Sequence, residues 1–237
     1  MNERILPRPM TADRQPRQRV STLGTEPRRE AILKVAERLF FEQGYANTTI
    51  EQIVGELGVT KPVVYYYFRD KLEIFETISW RPTVDCLTVM DFAPDDERPA
   101  HVKLEAGLTR LIENMVRHYP AAFLYYREPQ VFRPEYIAAQ TKLARSFYAH
   151  MCALLEQGRR DGTLEFGEAR LTALAAFSLP GFMHTWYRPD GRLPPAEVVR
   201  EMVAIAMRVI GVHHPVARRV RPPSPRPTKR VSSRSQT

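Results

Sequence analysis

Between Thr48 and Lys71 this chain gathers hydroxyl, phenol and ammonium groups at close spacing: Thr48, Thr49, Thr60, Lys61, Tyr65, Tyr66, Tyr67 and Lys71, with the methyls of Val63 among them. They contain no nucleophile–base pair and no metal-ligand set. What they share is the capacity to offer hydrogen bonds and positive charge to a polyanion. Lys61 can reach a guanine edge or a phosphate, and Val63 can touch a thymine methyl. The Thr49 hydroxyl, beside the free amides of a helix start, can hold a phosphate oxygen. Such contacts work only if short helices present these groups outward on a rigid support.

The surrounding residues supply that support. Ile32, Val35, Ala36, Leu39 and Phe40 form one apolar stripe of a first helix, closed at Gly44. Thr48-Thr49-Ile50-Glu51-Gln52 opens a second: either threonine can be its N-cap, because Glu51 follows Thr48 by three and Gln52 follows Thr49 by three. Ile50, Ile53, Val54 and Leu57 give its buried side. Gly58 permits a turn at positive φ, Thr60 is a good N-cap, and Pro62 is tolerated in a first turn. These signals predict a third helix from about Lys61 to Tyr67. Asp70, with Glu73 three residues on, caps a fourth helix running through Phe75, Ile78 and Trp80. Pro82 is expected to kink or interrupt it before Leu87 and Met90. Two short helices joined by a tight turn, then a longer one, are the layout of a helix-turn-helix DNA reader.

The Thr48-Thr49 opening, the Gly58-Val59-Thr60 turn, the Tyr65-Tyr66-Tyr67-Phe68 run and Lys71-Leu72 resemble the TetR family of bacterial one-component regulators, which couple such a reader to a ligand-sensing helical domain. The resemblance implies that Tyr65, Tyr67 and Lys71 contact the phosphate backbone and that Phe68 anchors the core. Thr60, Lys61, Val63 and Tyr66 would then face the bases, and Arg28 and Arg29 the backbone or minor groove. Lys61-Pro62-Val63 departs from the small residues many relatives carry there, which would shape the operator sequence. Three tyrosines in succession point in different directions, so at least one is expected to pack inward. The family further implies a homodimer on a palindromic double-stranded operator, joined through the last helix pair at residues ~168–187 and ~195–211. There Ala173, Ala175, Ala176 and Gly181 would permit close approach, with Leu174, Phe177, Phe182, Met202 and Ile205 supplying area.

Beyond the loop at residues 91–99 only helical patterns follow: 102–119, a short aromatic segment 120–132, 134–160, 171–186 and 195–210. The expected class is all-α, a three-helix reader followed by a helical sensing domain. The division is a basic disordered arm (1–25), a helix-turn-helix domain (26–72), a ligand-binding and dimerisation domain (73–212) and a disordered basic tail (213–237). In the sensing part Phe123, Leu124, Tyr125, Tyr126, Phe132, Phe147, His150 and Met151 suggest an aromatic lining for a flat or long hydrophobic ligand. Trp186-Tyr187-Arg188-Pro189-Asp190-Gly191 resembles the subgroup regulating fatty-acid or steroid degradation and answering to acyl-CoA thioesters. On that resemblance Arg117, Arg145 and Arg188 would meet the nucleotide phosphates, although Arg188 equally suits the end of its own helix. The fourth helix, linking reader to pocket, is the expected lever.

Charge and composition limit the other classes. The net charge of +8 divides into +4 over residues 1–29, where seven arginines face three acids, +7 over residues 216–237, where seven bases face none, and −3 between. Basic character alone therefore does not argue for sequence-specific DNA binding; the helix-turn-helix pattern carries that reading. A purely architectural, sequence-blind binder using the basic ends is the alternative, and it would show a steep salt dependence. No stretch approaches a membrane span, and the arginine-studded start is not a secretory signal, so a cytoplasmic location is expected. Cys86 and Cys152 lie far apart and read as reduced thiols; Asn47-Thr48-Thr49, formally a glycosylation sequon, reads as helix capping. No cofactor, metal site or enzymatic activity is expected: phosphate loop and nucleophile elbow are missing, Asp95-Asp96 sits in a polar loop, and His213-His214 in a solvated helix end.

Overall fold

The computed structural model describes residues 25–212. The expectations for residues 1–24 and 213–237, His213 and His214 included, lie outside the described residues. In chain order the helices are α1 (Thr25–Asn47), α2 (Ile50–Leu57), α3 (Lys61–Tyr67), α4 (Lys71–Leu87), α5 (Ala100–Arg117), α6 (Ala121–Arg127), a 3-10 turn (Pro129–Val131), α7 (Pro134–Arg160), α8 (Ala169–Gly181), α9 (Met183–Trp186) and α10 (Pro195–Val209). The class is all-α, and among the described residues extended pairing is limited to one antiparallel bridge, Leu164 with Val212.

Local chemistry accounts for the boundaries. Gly44, at φ 83°, breaks α1, leaving a short turn to Asn47. α2 carries a full capping box: Gln52 N donates to Thr49 Oγ1 at 3.2 Å, and Thr49 N donates to Gln52 Oε1 at 2.8 Å. Of the two candidate caps, Thr49 is the one used. Gly58 ends α2 at φ 66°. Asp70 caps α4 by accepting from Glu73 N at 2.8 Å. Pro82 does not interrupt α4, which continues through it to Leu87. The interruption falls instead at Phe182, two residues after Pro180, and separates α8 from α9.

Among the described residues the buried apolar side chains form two clusters. One joins α1, α2, α3 and the start of α4 through Ile32, Phe40, Ile53, Val64, Phe68, Ile74 and Phe75. The other surrounds α5, whose Leu104, Leu108, Leu111, Ile112 and Met115 face α4, α7 and α10. Ala121 and Leu124 of α6, Phe132 and Tyr136 belong to the first cluster, although they follow α5 in sequence. The expected division at residue 72 falls in the first turn of α4, so that helix runs through both clusters.

Candidate nucleic-acid interface and effector cavity

The three short helices sort their side chains by face. Val64 and Phe68 are buried, while Tyr65 is 51% and Tyr66 76% exposed. Val63 and Tyr67 are half-buried, and the Tyr66 and Tyr67 rings meet edge-on at 5.0 Å. Thr60 sits at the N-cap position of α3, but its hydroxyl makes no cap hydrogen bond and the residue is exposed. Thr49 is exposed at the start of α2. Thr49, Thr60, Lys61, Tyr65 and Tyr66 are thus the outward-facing members of the expected set. Lys61 is ion-paired with Glu51 of α2, and that hydrogen bond raises its pKa.

Two expected DNA contacts are otherwise employed. Thr48 is fully buried; its Oγ1 donates to Gly44 O at 2.9 Å and accepts from Gln43 Nε2 at 3.3 Å. It shapes the α1–α2 turn and has no outward face. The Lys71 ammonium donates to Tyr45 O and Thr48 O, both at 2.7 Å, and lies 4.1 Å from the Tyr45 ring centre. Burial lowers its pKa, and two of its three donors are committed to tying the turn before α2 to the start of α4. Arg28 and Arg29 are partly buried on α1; the Arg29 guanidinium stands 5.1 Å over Phe68.

Farther along the chain an aromatic cavity of about 200 Å³ lies between α4, α6 and α7, reached also by Met115 and Phe177. α6 contributes Ala122, Tyr125 and Tyr126; α4 contributes Pro82, Thr83, Cys86 and Leu87; α7 contributes Gln140, Ala144 and Tyr148. Its polar handles are few. Tyr125 Oη donates to Gln140 Oε1 at 3.2 Å. Burial raises the pKa of the Tyr126 phenol and pushes the Cys86 thiol up to about 12, the Asp85 carboxylate adding to the latter, so these groups act as neutral hydrogen-bonding atoms rather than nucleophiles.

Tyr125 and Tyr126 line the cavity as expected; the other expected ligand residues do not. Phe147 and Met151 are fully buried in the α5-centred core. His150 is exposed on the far side of α7, its Nδ1 2.6 Å from Asp91 Oδ1. Trp186 is 49% exposed, and Arg188 turns back to donate to Tyr187 O at 2.7 Å, just past the end of α9. On α7 the cavity stripe is Gln140, Ala144, Tyr148, while Phe147, Met151, Leu155 form the neighbouring core stripe. Both follow the i, i+4, i+8 rule, so periodicity alone does not choose between them.

A second, wider cleft of about 750 Å³ opens where α1 meets α4 and the α5–α6 corner, lined by Arg29, Arg69, Arg81, Arg117, Arg133 and His118 on the basic side. Glu30, Glu37, Glu73 and Glu76 share it. Arg117 therefore lies at this cleft, with Pro82 walling both spaces.

On α8 the expected dimer residues divide. Ala173, Ala176 and Gly181 face inward, as does Met202 of α10. Leu174, Ala175 and Phe182 of the expected set are exposed, and with Leu171 (66%) and Trp186 they form an outward apolar stripe interrupted by Ser178. Among the described residues no helix is long and apolar enough to cross a membrane, and no cluster of three or more His, Cys, Asp or Glu could hold a metal ion.

Residues 32–78 match the family model described as "Bacterial regulatory proteins, tetR family", and residues 97–210 the one described as "Tetracyclin repressor-like, C-terminal domain". The HTH-type transcriptional repressor BepR of Brucella suis is 37% identical over 87 residues; that match takes in 36% of this chain and 41% of BepR, so the chain spans only about two-fifths of that relative's length. The HTH-type transcriptional activator FasR of Mycolicibacterium smegmatis is 26% identical over 190 residues, 79% of this chain and 85% of FasR. The structure of AibR in complex with isovaleryl coenzyme A and operator DNA is similar in fold, with a TM-score of 0.63 at 19% identity over 76% of this chain and 97% of AibR.

Proposed function

This chain belongs to the TetR family of bacterial transcriptional regulators, and we propose that it is an effector-responsive repressor acting as a cytoplasmic homodimer on a palindromic operator. One observation carries the reading: α4 starts at the reader, where Asp70 caps it beside Lys71, and ends in the wall of the aromatic cavity at Thr83, Cys86 and Leu87. An occupant of that cavity touches the same helix that supports the DNA-facing groups. Two headpieces, held one helical turn apart or a multiple of it, multiply the modest contacts of one. The exposed α8 stripe around Leu171 and Phe182 is the surface proposed to hold them together.

The cavity bounds the effector. At about 200 Å³ it suits a single ring or a short branched chain, since benzene fills a cavity of roughly 150 Å³. That favours a short acyl group over the long or flat ligand the aromatic residues suggest in sequence. An acyl-CoA fits in outline: the acyl part among Tyr125, Tyr126 and Tyr148, the phosphates toward Arg81 and Arg117 across Pro82. AibR, solved with isovaleryl coenzyme A, is a related fold whose ligand carries a short branched acyl group of that kind. Release from DNA requires the effector to prefer the mis-spaced conformer by ~3 kcal/mol, about a hundredfold.

The test is a fluorescence-anisotropy titration of DNA from upstream of the chain's own gene, with scrambled competitor, at about 0.15 M salt. Isovaleryl-CoA and palmitoyl-CoA are then added separately. Binding that survives competitor and collapses with the short thioester alone supports the whole reading. Survival with no response to either removes the effector class, and loss to scrambled DNA at every candidate operator favours a sequence-blind binder.

A further inference from the structure

The segment between α6 and α7 does more than connect them. Arg127 Nη1 donates to Phe41 O at 3.0 Å, with the guanidinium 4.7 Å from the Phe41 ring centre. Glu128 Oε1 accepts from Tyr45 N at 3.4 Å, in the turn that precedes α2. Arg133 grips α4: its Nη2 donates to both Asp70 oxygens, at 2.9 and 2.7 Å, its Nη1 pairs with Glu76, and its backbone N donates to Glu76 Oε1 at 2.8 Å. Asp70 is at the same time the N-cap of α4. Three residues of this seven-residue segment therefore hold the reader at α1, at the α1–α2 turn and at the start of α4.

The apolar side of the segment points the same way. Phe132 is buried in the reader's own core, 5.1 Å from the Phe75 ring, which in turn meets Phe40 at 5.1 Å. In the other direction Phe132 meets Tyr125 at 5.4 Å, and Tyr125 meets Tyr126 at 5.8 Å; both tyrosines wall the cavity. Rings thus touch without a gap from the cavity to α1. Densely packed side chains of this kind move to alternative arrangements rather than deform smoothly.

We propose that Arg127–Arg133 is the strap through which occupancy of the cavity repositions the reader, with Arg133 its positioning residue. This rests on the cavity being the effector site, and it adds a second path beside α4 itself. A ring entering between α6 and α7 spreads the two helices that the strap joins. Arg133, at the start of α7, is drawn from Asp70 and Glu76, and the reader turns with the first turn of α4.

The test avoids both the operator and the effector, so its failure is separate from failure of the regulatory reading. Ala122→Phe places a ring in the cavity of the full-length protein, and amide hydrogen exchange is followed at residues 41–49 and 70–76. Exchange there is expected to rise about tenfold, and in the Arg133→Met background the same substitution is expected to add less than about twofold. A purely structural Arg133 would raise exchange by itself yet leave the Ala122→Phe increment intact; that outcome, or no effect of Ala122→Phe on the reader, overturns the proposal. Arg133→Lys is the second variant should Arg133→Met fold poorly, since it keeps the charge but loses the fork that spans two carboxylates. It should reduce the increment as well.

Discussion

Lys61 lies on the outward face of the reader, yet its charge is spent on Glu51. Both side chains are largely exposed, 48% for Lys61 and 61% for Glu51, so the pair is screened and contributes little to stability. Its effect on DNA should be larger. While paired, Lys61 brings no net charge toward a phosphate; Glu51→Gln frees one cation per headpiece, two per proposed dimer. Each phosphate neutralised steepens the dependence of log K on log salt by about 0.9, so the dimer's slope should steepen by about 1.8. If variant and wild-type curves converge near about 1 M salt, the variant binds about 30-fold tighter at about 0.15 M. Operator anisotropy from about 0.1 to 0.4 M salt reads the slope directly. Removing the carboxylate also relieves its own repulsion of phosphate, so Lys61→Gln is needed in the Glu51→Gln background, where it should restore the wild-type slope. A Glu51→Gln slope equal to wild type refutes the idea that the pair masks Lys61. A steeper slope that survives Lys61→Gln assigns the gain to Glu51 alone.

Further expectations concern the scaffold. Gly211 stands at φ 75° with Glu165 O 1.8 Å from where a Cβ would be, so Gly211→Ala should cost about 3 kcal/mol or more in urea unfolding. Gly162→Ala, at φ 68° in open space, should cost only about 1–2 kcal/mol, and equal losses would discount the clash. Phe182→Glu should convert the proposed dimer to monomer in sedimentation without loss of helicity, because Phe182 is 65% exposed and its removal leaves the chain's own core untouched. Because the Cys86 thiol is raised to about 12 in the fold, its contribution to stability is intact below the ordinary thiol value of about 8.5 and fades as pH climbs toward 12. At pH of about 8 a disulfide reagent should therefore label half-buried Cys152 first and reach Cys86 only on unfolding.

The reader was legible in sequence because its signals are local. Capping residues, a turn glycine and a buried stripe each act within four residues, and α2 and α3 begin and end where those signals place them. The outward display of Tyr65 and Tyr66 follows from α3 having one buried residue, Val64, to fix its rotation. The cavity was not legible to the same degree. α7 carries two apolar stripes of equal period, and which of them meets the hollow depends on where α6 crosses, a relation no local pattern encodes. Thr48 shows the same limit at short range. Two adjacent threonines satisfy the capping rule, and the inward one, Thr48, is held by Gly44 O and Gln43 while Thr49 takes the cap.

That dependence on distant elements bears on the reader itself. Its core includes Ala121, Leu124, Phe132 and Tyr136, all beyond α5. Burial of the three larger side chains contributes about 2 kcal/mol each, roughly 6 kcal/mol in all. The whole stability of a domain is on the order of 5–15 kcal/mol, and one of about 60 residues sits at the low end of what a single core sustains. A fragment ending with α4 at Leu87 would keep α1 to α3 and their caps, but lose those side chains together with the Arg133 clamp on Asp70 and Glu76. Calorimetry of residues 25–87 should therefore show no cooperative unfolding transition, while the full chain shows one. A sharp transition in the fragment, with native-like near-ultraviolet dichroism, would mean that the reader is energetically complete by itself. The contacts across the joint would then be able to orient it without being needed to fold it.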